Sequence, residues 1–147
     1  MSLKEKLAQD LKSSMKNKEI VRKNTVQLIR TAVLQVEKDK KVTLDDEDIL
    51  ELIAKQLKQR KDALPEYEKS GREDLISQLK QEMEVLMEYL PEQLSEEELR
   101  PIVEETVKEV GAESMKDMGK VMAVVMPKVK GRADGKAISE IAKSLFN

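Results

Sequence analysis

Cysteine and histidine are both absent from this 147-residue chain. Without cysteine there is no disulfide framework, no thiolate nucleophile and no zinc site built on sulfur. Without histidine the commonest general base and the commonest transition-metal ligand are gone, and with them the usual partner of a catalytic serine. Tryptophan is also missing, and Tyr67, Tyr89 and Phe146 are the whole aromatic complement. Such a chain has little to stack on unpaired bases and few of the aromatic residues that favour strands. The longest apolar run, Val121–Met126, is far short of a membrane span, and the first ten residues hold no apolar core for a signal peptide. These absences predict a soluble, cytoplasmic protein with no metal, no cofactor and no membrane partner. Any enzyme built on such a chain would have to run on carboxylates, lysines or a cofactor.

What is present is charged and hydrophobic side chains in nearly equal measure, 38% and 39%. That balance is typical of helical proteins and predicts an all-α fold of one ordinary domain or two small ones. The net charge of −2 hides a segregation. Residues 1–41 carry eleven Lys and Arg against five acids, and residues 42–100 carry eight against seventeen. Residues 116–147 are basic again, seven against three. Two basic ends flanking an acidic middle suit a polyanionic partner, and equally suit intramolecular attraction.

Apolar periodicity places four helices in an N-terminal domain, residues 1–92. Ser2 and Glu5 form a capping box, followed by Leu3, Leu7, Leu11 and Met15 at four-residue steps, giving a helix to about Lys16. Val21, Thr25, Leu28, Ile29, Ala32, Val33 and Val36 mark a second helix to about Lys40. Lys16, Lys23 and Arg30 fall seven apart and suggest a basic ridge, either a solvated face or a nucleic-acid contact. Thr43 with Asp46 caps a third helix whose buried face is Ile49, Ile53, Leu57, Leu64 and Tyr67, with a kink or break expected at Pro65. A fourth, carrying Leu75, Leu79, Met83, Leu86 and Leu90, returns antiparallel after a turn at Ser70 and Gly71. Residues facing one another across that hairpin have numbers summing to about 141, which pairs Arg60 with Glu82 as a partly buried structural ion pair.

Leu90–Ser95 marks the boundary to a C-terminal three-helix domain, residues 93–147. Ser95 and Glu98 cap a helix with Leu99, Ile102, Val103, Val107 and Val110 inside, Pro101 bending its start and Gly111 ending it. Ser114 or Asp117 then caps a helix so apolar around Ala123, Val124 and Met126 that it has to be covered on most sides. The connection to the last helix, Gly131-Arg132-Ala133-Asp134-Gly135-Lys136, is the one surface stretch that looks chosen for chemistry. Gly131 suits a left-handed helix end and Asp134 an N-cap, which leaves Gly135 and Lys136 in the first turn of a helix whose free N–H groups attract anions. Lys120, Lys128, Lys130, Arg132, Gly135 and Lys136 are therefore the candidate phosphate contacts. The segment is not a Walker loop, since only three residues separate the glycines and Ala137 stands where Ser or Thr is needed. A tight connection with incidental solvating charge explains the same residues.

Met118-Gly119-Lys120-Val121-Met122 and Met126-Pro127-Lys128-Val129-Lys130-Gly131-Arg132-Ala133-Asp134-Gly135-Lys136 resemble the signature of the GatB/YqeY family. Leu28-Ile29-Arg30, Lys58-Gln59-Arg60, Gly71-Arg72-Glu73-Asp74-Leu75 and Tyr89-Leu90-Pro91-Glu92-Gln93-Leu94 are similar to runs elsewhere in it, so the likeness spans essentially the whole chain, as in a free-standing YqeY-like protein. The resemblance implies a longer helical part followed by a small three-helix part. In the family's larger member, the B subunit of glutamine-dependent aspartyl/glutamyl-tRNA amidotransferase, this module is the tail that engages the transfer RNA body. It also implies that a carbon–nitrogen ligase label with glutamine as amido-N donor attaches by inheritance, while the catalytic domain is missing here.

The functional expectation is a nonenzymatic RNA-binding module, with tRNA as the expected partner, that reads shape and phosphates. Five phosphate contacts would give a log K against log salt slope of roughly −3 to −5. The alternative is an adaptor docking on an amidotransferase or aminoacyl-tRNA synthetase through the acidic middle helices. A carboxylate enzyme using Glu82 or Glu88 ranks last, because nothing in their spacing predicts a reaction.

Overall fold

The computed structural model describes residues 1–146. Among them the secondary structure is entirely helical: α1 (Leu3–Lys16), α2 (Ile20–Lys40), α3 (Asp46–Ser70), α4 (Glu73–Tyr89), α5 (Glu96–Val110), a 3-10 turn (Met115–Asp117), α6 (Met118–Lys128) and α7 (Gly135–Phe146). The chain divides into two compact units, Met1–Leu90 and Pro91–Asn147.

In the first unit, α1 and α2 pack together, as do α3 and α4, and α2 touches both members of the second pair. Leu7, Val26, Ile29, Val33, Ile49, Ile53, Leu57, Val85, Leu86, Tyr89 and Leu90 form its core. Fully burying each of the larger aliphatic side chains contributes about 1.5–3 kcal/mol before the entropy of ordering is charged against it. Ser2 and Glu5 make the capping box of α1. Met15 is 59% exposed, however, and Ser14 is buried in its stead. Four-residue steps drift by about 40° each around a helix of 3.6 residues per turn, so the Leu3-to-Met15 stripe rotates off the core.

The cap of α3 is Asp45 with Asp48 rather than Thr43 with Asp46. Asp46 is engaged elsewhere, accepting from the Leu3 N–H at 2.9 Å, and so ties the start of α1 to the start of α3. Pro65 does not break α3, which runs unbroken to Ser70. The hairpin's outer half is largely solvated, with Pro65 and Tyr67 exposed, so the Lys61 carbonyl that loses its partner lies where water can replace it. Tyr67 and Leu75 therefore do not reach the core, while Ile76, Val85 and Tyr89 of α4 are buried.

Several charged groups brace this unit. The Lys4 ammonium donates to Glu37, which also accepts from the Leu44 N–H at 2.8 Å. The guanidinium of Arg22 grips Glu88 through two bonds of 2.5 and 3.0 Å. Tyr89 donates its hydroxyl to Asp10, and the Lys6 ammonium lies 5.3 Å from the centre of its ring.

The second unit has its own core of Leu99, Val103, Val121, Val125, Val129, Ile138, Ile141 and Ala142. Helices α5, α6 and α7 each touch the other two. Ser95 and Glu98 form the capping box of α5, and Gly111 closes it in the left-handed region. Pro101 sits within an uninterrupted α5. Ser114 caps the 3-10 turn rather than α6 itself, and Asp117 turns its carboxylate back to the Glu113 N–H at 2.9 Å. Contrary to its apolar composition, α6 is not covered on most sides, because Ala123 is exposed and Met126 is 41% exposed. Val121, Val125 and Val129 alone satisfy the core, and the methionines flank it.

Candidate nucleic-acid interface

The α6–α7 connection is held by backbone geometry first. Gly131 has φ 76°, in the left-handed region that disfavours other residues. The Arg132 and Ala133 N–H groups both bond back to the Val129 carbonyl, at 2.8 and 3.2 Å. The Asp134 side chain accepts from the Ala137 N–H at 2.9 Å, capping α7.

The loop is also clasped from outside by the segment just before α5. The Gln93 amide donates to the Gly131 carbonyl at 2.6 Å, the Leu94 N–H donates to the Arg132 carbonyl at 2.9 Å, and the Arg132 guanidinium donates to the Glu92 carbonyl at 3.0 Å. Two segments some forty residues apart, both quoted above for the family likeness, thus hold each other. No local periodicity connects Glu92 and Gln93 to this loop, so sequence alone does not mark them as its partners. Arg132 is spent on this clasp and is half-buried.

The other candidates divide. Lys136 is exposed and has no ion-pair partner among the described residues. Lys120 is exposed, with Asp117 3.9 Å away. Lys128 reaches Glu109 at 3.3 Å and Thr106 at 3.4 Å, stitching α6 to α5. Lys130 is exposed. Gly135 has a packing reason of its own, since a Cβ there would stand 3.3 Å from the Met122 methyl and 4.0 Å from the Met126 sulfur. A Cβ on Gly119 would meet nothing. Asp117 keeps its carboxyl below the ordinary range through the Glu113 N–H and, more weakly, the Ser114 N–H.

In the first unit Lys16 ends α1, and the chain reverses through Asn17 and the left-handed Lys18 before α2 begins. The seven-residue spacing therefore crosses a turn, and only Lys23 and Arg30 share a face of α2. The Arg60 and Glu82 side chains meet across the α3–α4 hairpin at 3.2 and 3.4 Å and are 14% and 18% exposed. Arg60 also donates to the Gln56 carbonyl at 3.1 Å. Glu88 is bound by Arg22, whose hydrogen bond holds its carboxyl below the usual range. Neither Glu82 nor Glu88 is thus an unengaged carboxylate placed for acid–base chemistry. No three His, Cys, Asp or Glu side chains among the described residues converge as a metal site would need, and none of their helices is long and apolar enough to cross a membrane.

The sequence profile of the Yqey-like protein family matches residues 4–146. The chain belongs to this family. A curated relative in Pyrenophora tritici-repentis, named Altered inheritance of mitochondria protein 41, mitochondrial, is 30% identical over 92% of the chain and 76% of that protein. Relatives of the same name in Kluyveromyces lactis and Vanderwaltozyma polyspora are 36% and 34% identical over 56% and 57% of the chain. The Yqey-like chain spans 45% and 46% of those two proteins, under half their length. These names correct the expected cytoplasmic location, because the relatives are mitochondrial proteins by name.

Proposed function

We propose that this Yqey-like protein is a nonenzymatic RNA-binding module that contacts the phosphate backbone of a folded RNA, with the body of a transfer RNA as the best candidate. The reading joins a four-helix N-terminal part to a three-helix C-terminal part that presents the basic surface. The observation that carries it is the basic character of residues 116–147, seven Lys and Arg against three acids, with Lys120, Lys128, Lys130 and Lys136 all exposed. Lys128, Lys130 and Lys136 cluster in sequence at the α6–α7 connection, and Lys120 stands eight residues back, about 12 Å along α6. Point charges without aromatic platforms suit phosphates on a structured RNA better than unpaired bases.

Four phosphate contacts would give a log K against log salt slope of roughly −3 to −4. The test is binding of the full chain to bulk tRNA across a salt series, comparing wild type with Lys120→Ala plus Lys136→Ala. The double variant should weaken binding and flatten the slope by about 2. Arg132 is left intact because its loss would open the loop. Absence of salt-dependent binding, or an unchanged slope in the double variant, would overturn the proposal.

A further inference from the structure

One face of α2 is at odds with the rest of the molecule. Ile20, Asn24, Gln27, Leu28, Thr31, Leu34 and Gln35 follow at helical spacing and all are exposed, with Ile20 at 67% and Leu34 at 62%. From Ile20 to Gln35, about four turns, this face carries no charge, in a chain whose residues are 38% charged, and exposed Lys38 closes it at the end of α2. A merely solvated face in such a protein would be studded with lysine and glutamate, as α3 and α4 are. Depletion of charge with retained aliphatic side chains marks instead the centre of a contact surface.

The edge of the face carries both signs: Glu19, paired with Arg22 at 3.1 Å, Lys23, Arg30 and Glu37 on one side, and Asp39, which accepts from the Gln35 amide at 2.9 and 3.0 Å, on the other. Lys23 and Arg30 border it on the side of Glu37, seven residues and therefore about 10 Å apart along the axis. Both are half-buried, and neither side chain has a hydrogen-bond or ion-pair partner among the described residues. Glu37, the next position along that edge, is occupied by Lys4 and the Leu44 N–H. The acids on the edge are engaged, so two uncompensated cations flank an uncharged centre in which Ile20, Leu28 and Leu34 are the exposed aliphatic side chains.

We infer that this face of α2 is a docking surface for an acidic amphipathic helix of another protein, whose apolar stripe covers Ile20, Gln27, Leu28 and Leu34 and whose flanking carboxylates meet Lys23 and Arg30. The size supports a helix as occupant. A strip about 22 Å long and one helix wide is far below the roughly 800 Å² per partner of a stable globular interface. Helix-on-groove recognition needs only such a strip, and flanking charge sets its orientation and partner choice. RNA is disfavoured, because covering exposed Ile20 and Leu34 with a polyanion gains nothing from their apolar area. The inference is independent of the RNA reading and lies in the other unit of the chain.

The test uses the full chain and two fluorescein-labelled designed helical peptides of three heptads. Both have leucine along the stripe, one with glutamate and the other with lysine at the flanking positions. The glutamate peptide should bind at least tenfold more tightly than the lysine peptide. Leu34→Asp should weaken it at least tenfold with the circular dichroism spectrum unchanged, since that side chain contributes nothing to the core. Lys23→Glu plus Arg30→Glu should invert the preference, so that the lysine peptide binds better. Equal binding of both peptides, binding of neither, or a preference that survives the charge reversal would overturn the inference. A dimer by sedimentation that Leu34→Asp dissolves would assign the face to a second copy and overturn it as well. So would loss of tRNA binding in the charge-reversed protein with peptide discrimination intact.

Discussion

Glycines at 119, 131 and 135 look alike in sequence and separate once each is asked what a methyl group would meet. Gly131 occupies φ 76°, so Gly131→Ala should destabilise the C-terminal unit by about 1–2 kcal/mol. Gly119 lies in α6 with open space around it, and Gly119→Ala should stabilise by about 0.5–1 kcal/mol through helix propensity and a restricted unfolded chain. Urea denaturation of the two variants should therefore shift in opposite directions. If Gly119→Ala instead weakens tRNA binding while raising stability, that glycine serves close approach of a ligand. Titratable groups divide just as sharply. Burial, and then the hydrogen bond to Asp10, push the Tyr89 hydroxyl above its ordinary value. An acid whose folded pKa is raised favours the folded state while it stays protonated, so this contribution is present below about pH 10 and is lost as pH rises beyond it. Glu37, Glu88 and Asp117 are shifted the opposite way by hydrogen bonds from Lys4, from Arg22 and from the Glu113 N–H. Their contributions are present above about pH 4 and vanish as pH falls through their lowered folded values. With no histidine in the chain, melting temperature should be nearly flat from pH 6 to 8, fall on either side, and fall less steeply above pH 10 in Tyr89→Phe.

Helices were legible where one local rule decides them. The capping boxes at Ser2 and Ser95, the glycine ends at Gly71 and Gly111, and the antiparallel return of α4 on α3 all follow from spacing within a few residues. The same register puts Arg60 opposite Glu82, and their side chains do meet there. Local rules fail where two equal ones compete or where tertiary context decides. Thr43 with Asp46 and Asp45 with Asp48 have identical spacing, and the long-range bond from the Leu3 N–H to Asp46 tips the choice. An apolar α6 read as a covered helix because composition says nothing of which neighbours exist. The clasp of the α6–α7 loop by Glu92, Gln93 and Leu94 was invisible for the same reason. Within the hairpin, the inner and outer halves should differ in stability. Ile49, Ile53 and Leu57 are buried, whereas the stretch from Pro65 to Leu75 is exposed. Amide hydrogen exchange should be slow at Ile53 and Leu57 and much faster from Glu66 to Ser70. Pro65→Ala restores a bond to the Lys61 carbonyl and should slow exchange in this outer turn, with little change in global unfolding. Across the hairpin, Arg60→Ala should cost about 1–3 kcal/mol by stranding the Glu82 carboxylate, while Arg60→Met combined with Glu82→Leu should recover most of that loss, as a double-mutant cycle by chemical denaturation would show.

At the scale of the whole chain, the two units are built around cores that share no residue. The smaller, Pro91–Asn147, lies in the size range where a buried core is only marginally sufficient, so each large side chain in it carries a large fraction of its stability. Ile138 is fully buried there, and Ile138→Ala should cost about 2–5 kcal/mol. The distribution of aromatics makes the outcome observable without labels. Tyr67 and Tyr89 both belong to the Met1–Leu90 unit, and no tyrosine or tryptophan lies in the other. Tyrosine fluorescence thus reports the first unit alone, while far-ultraviolet circular dichroism reports the helices of both. In wild type the two signals should give transitions that do not coincide, the departure from two-state behaviour expected of separate cores. Ile138→Ala should move the circular dichroism transition to lower urea and leave the tyrosine transition in place. Leu86→Ala, which opens a cavity in the first core, should do the reverse to the tyrosine signal. Coincident transitions that both variants shift together would mean that the chain unfolds as one cooperative body despite its divided core.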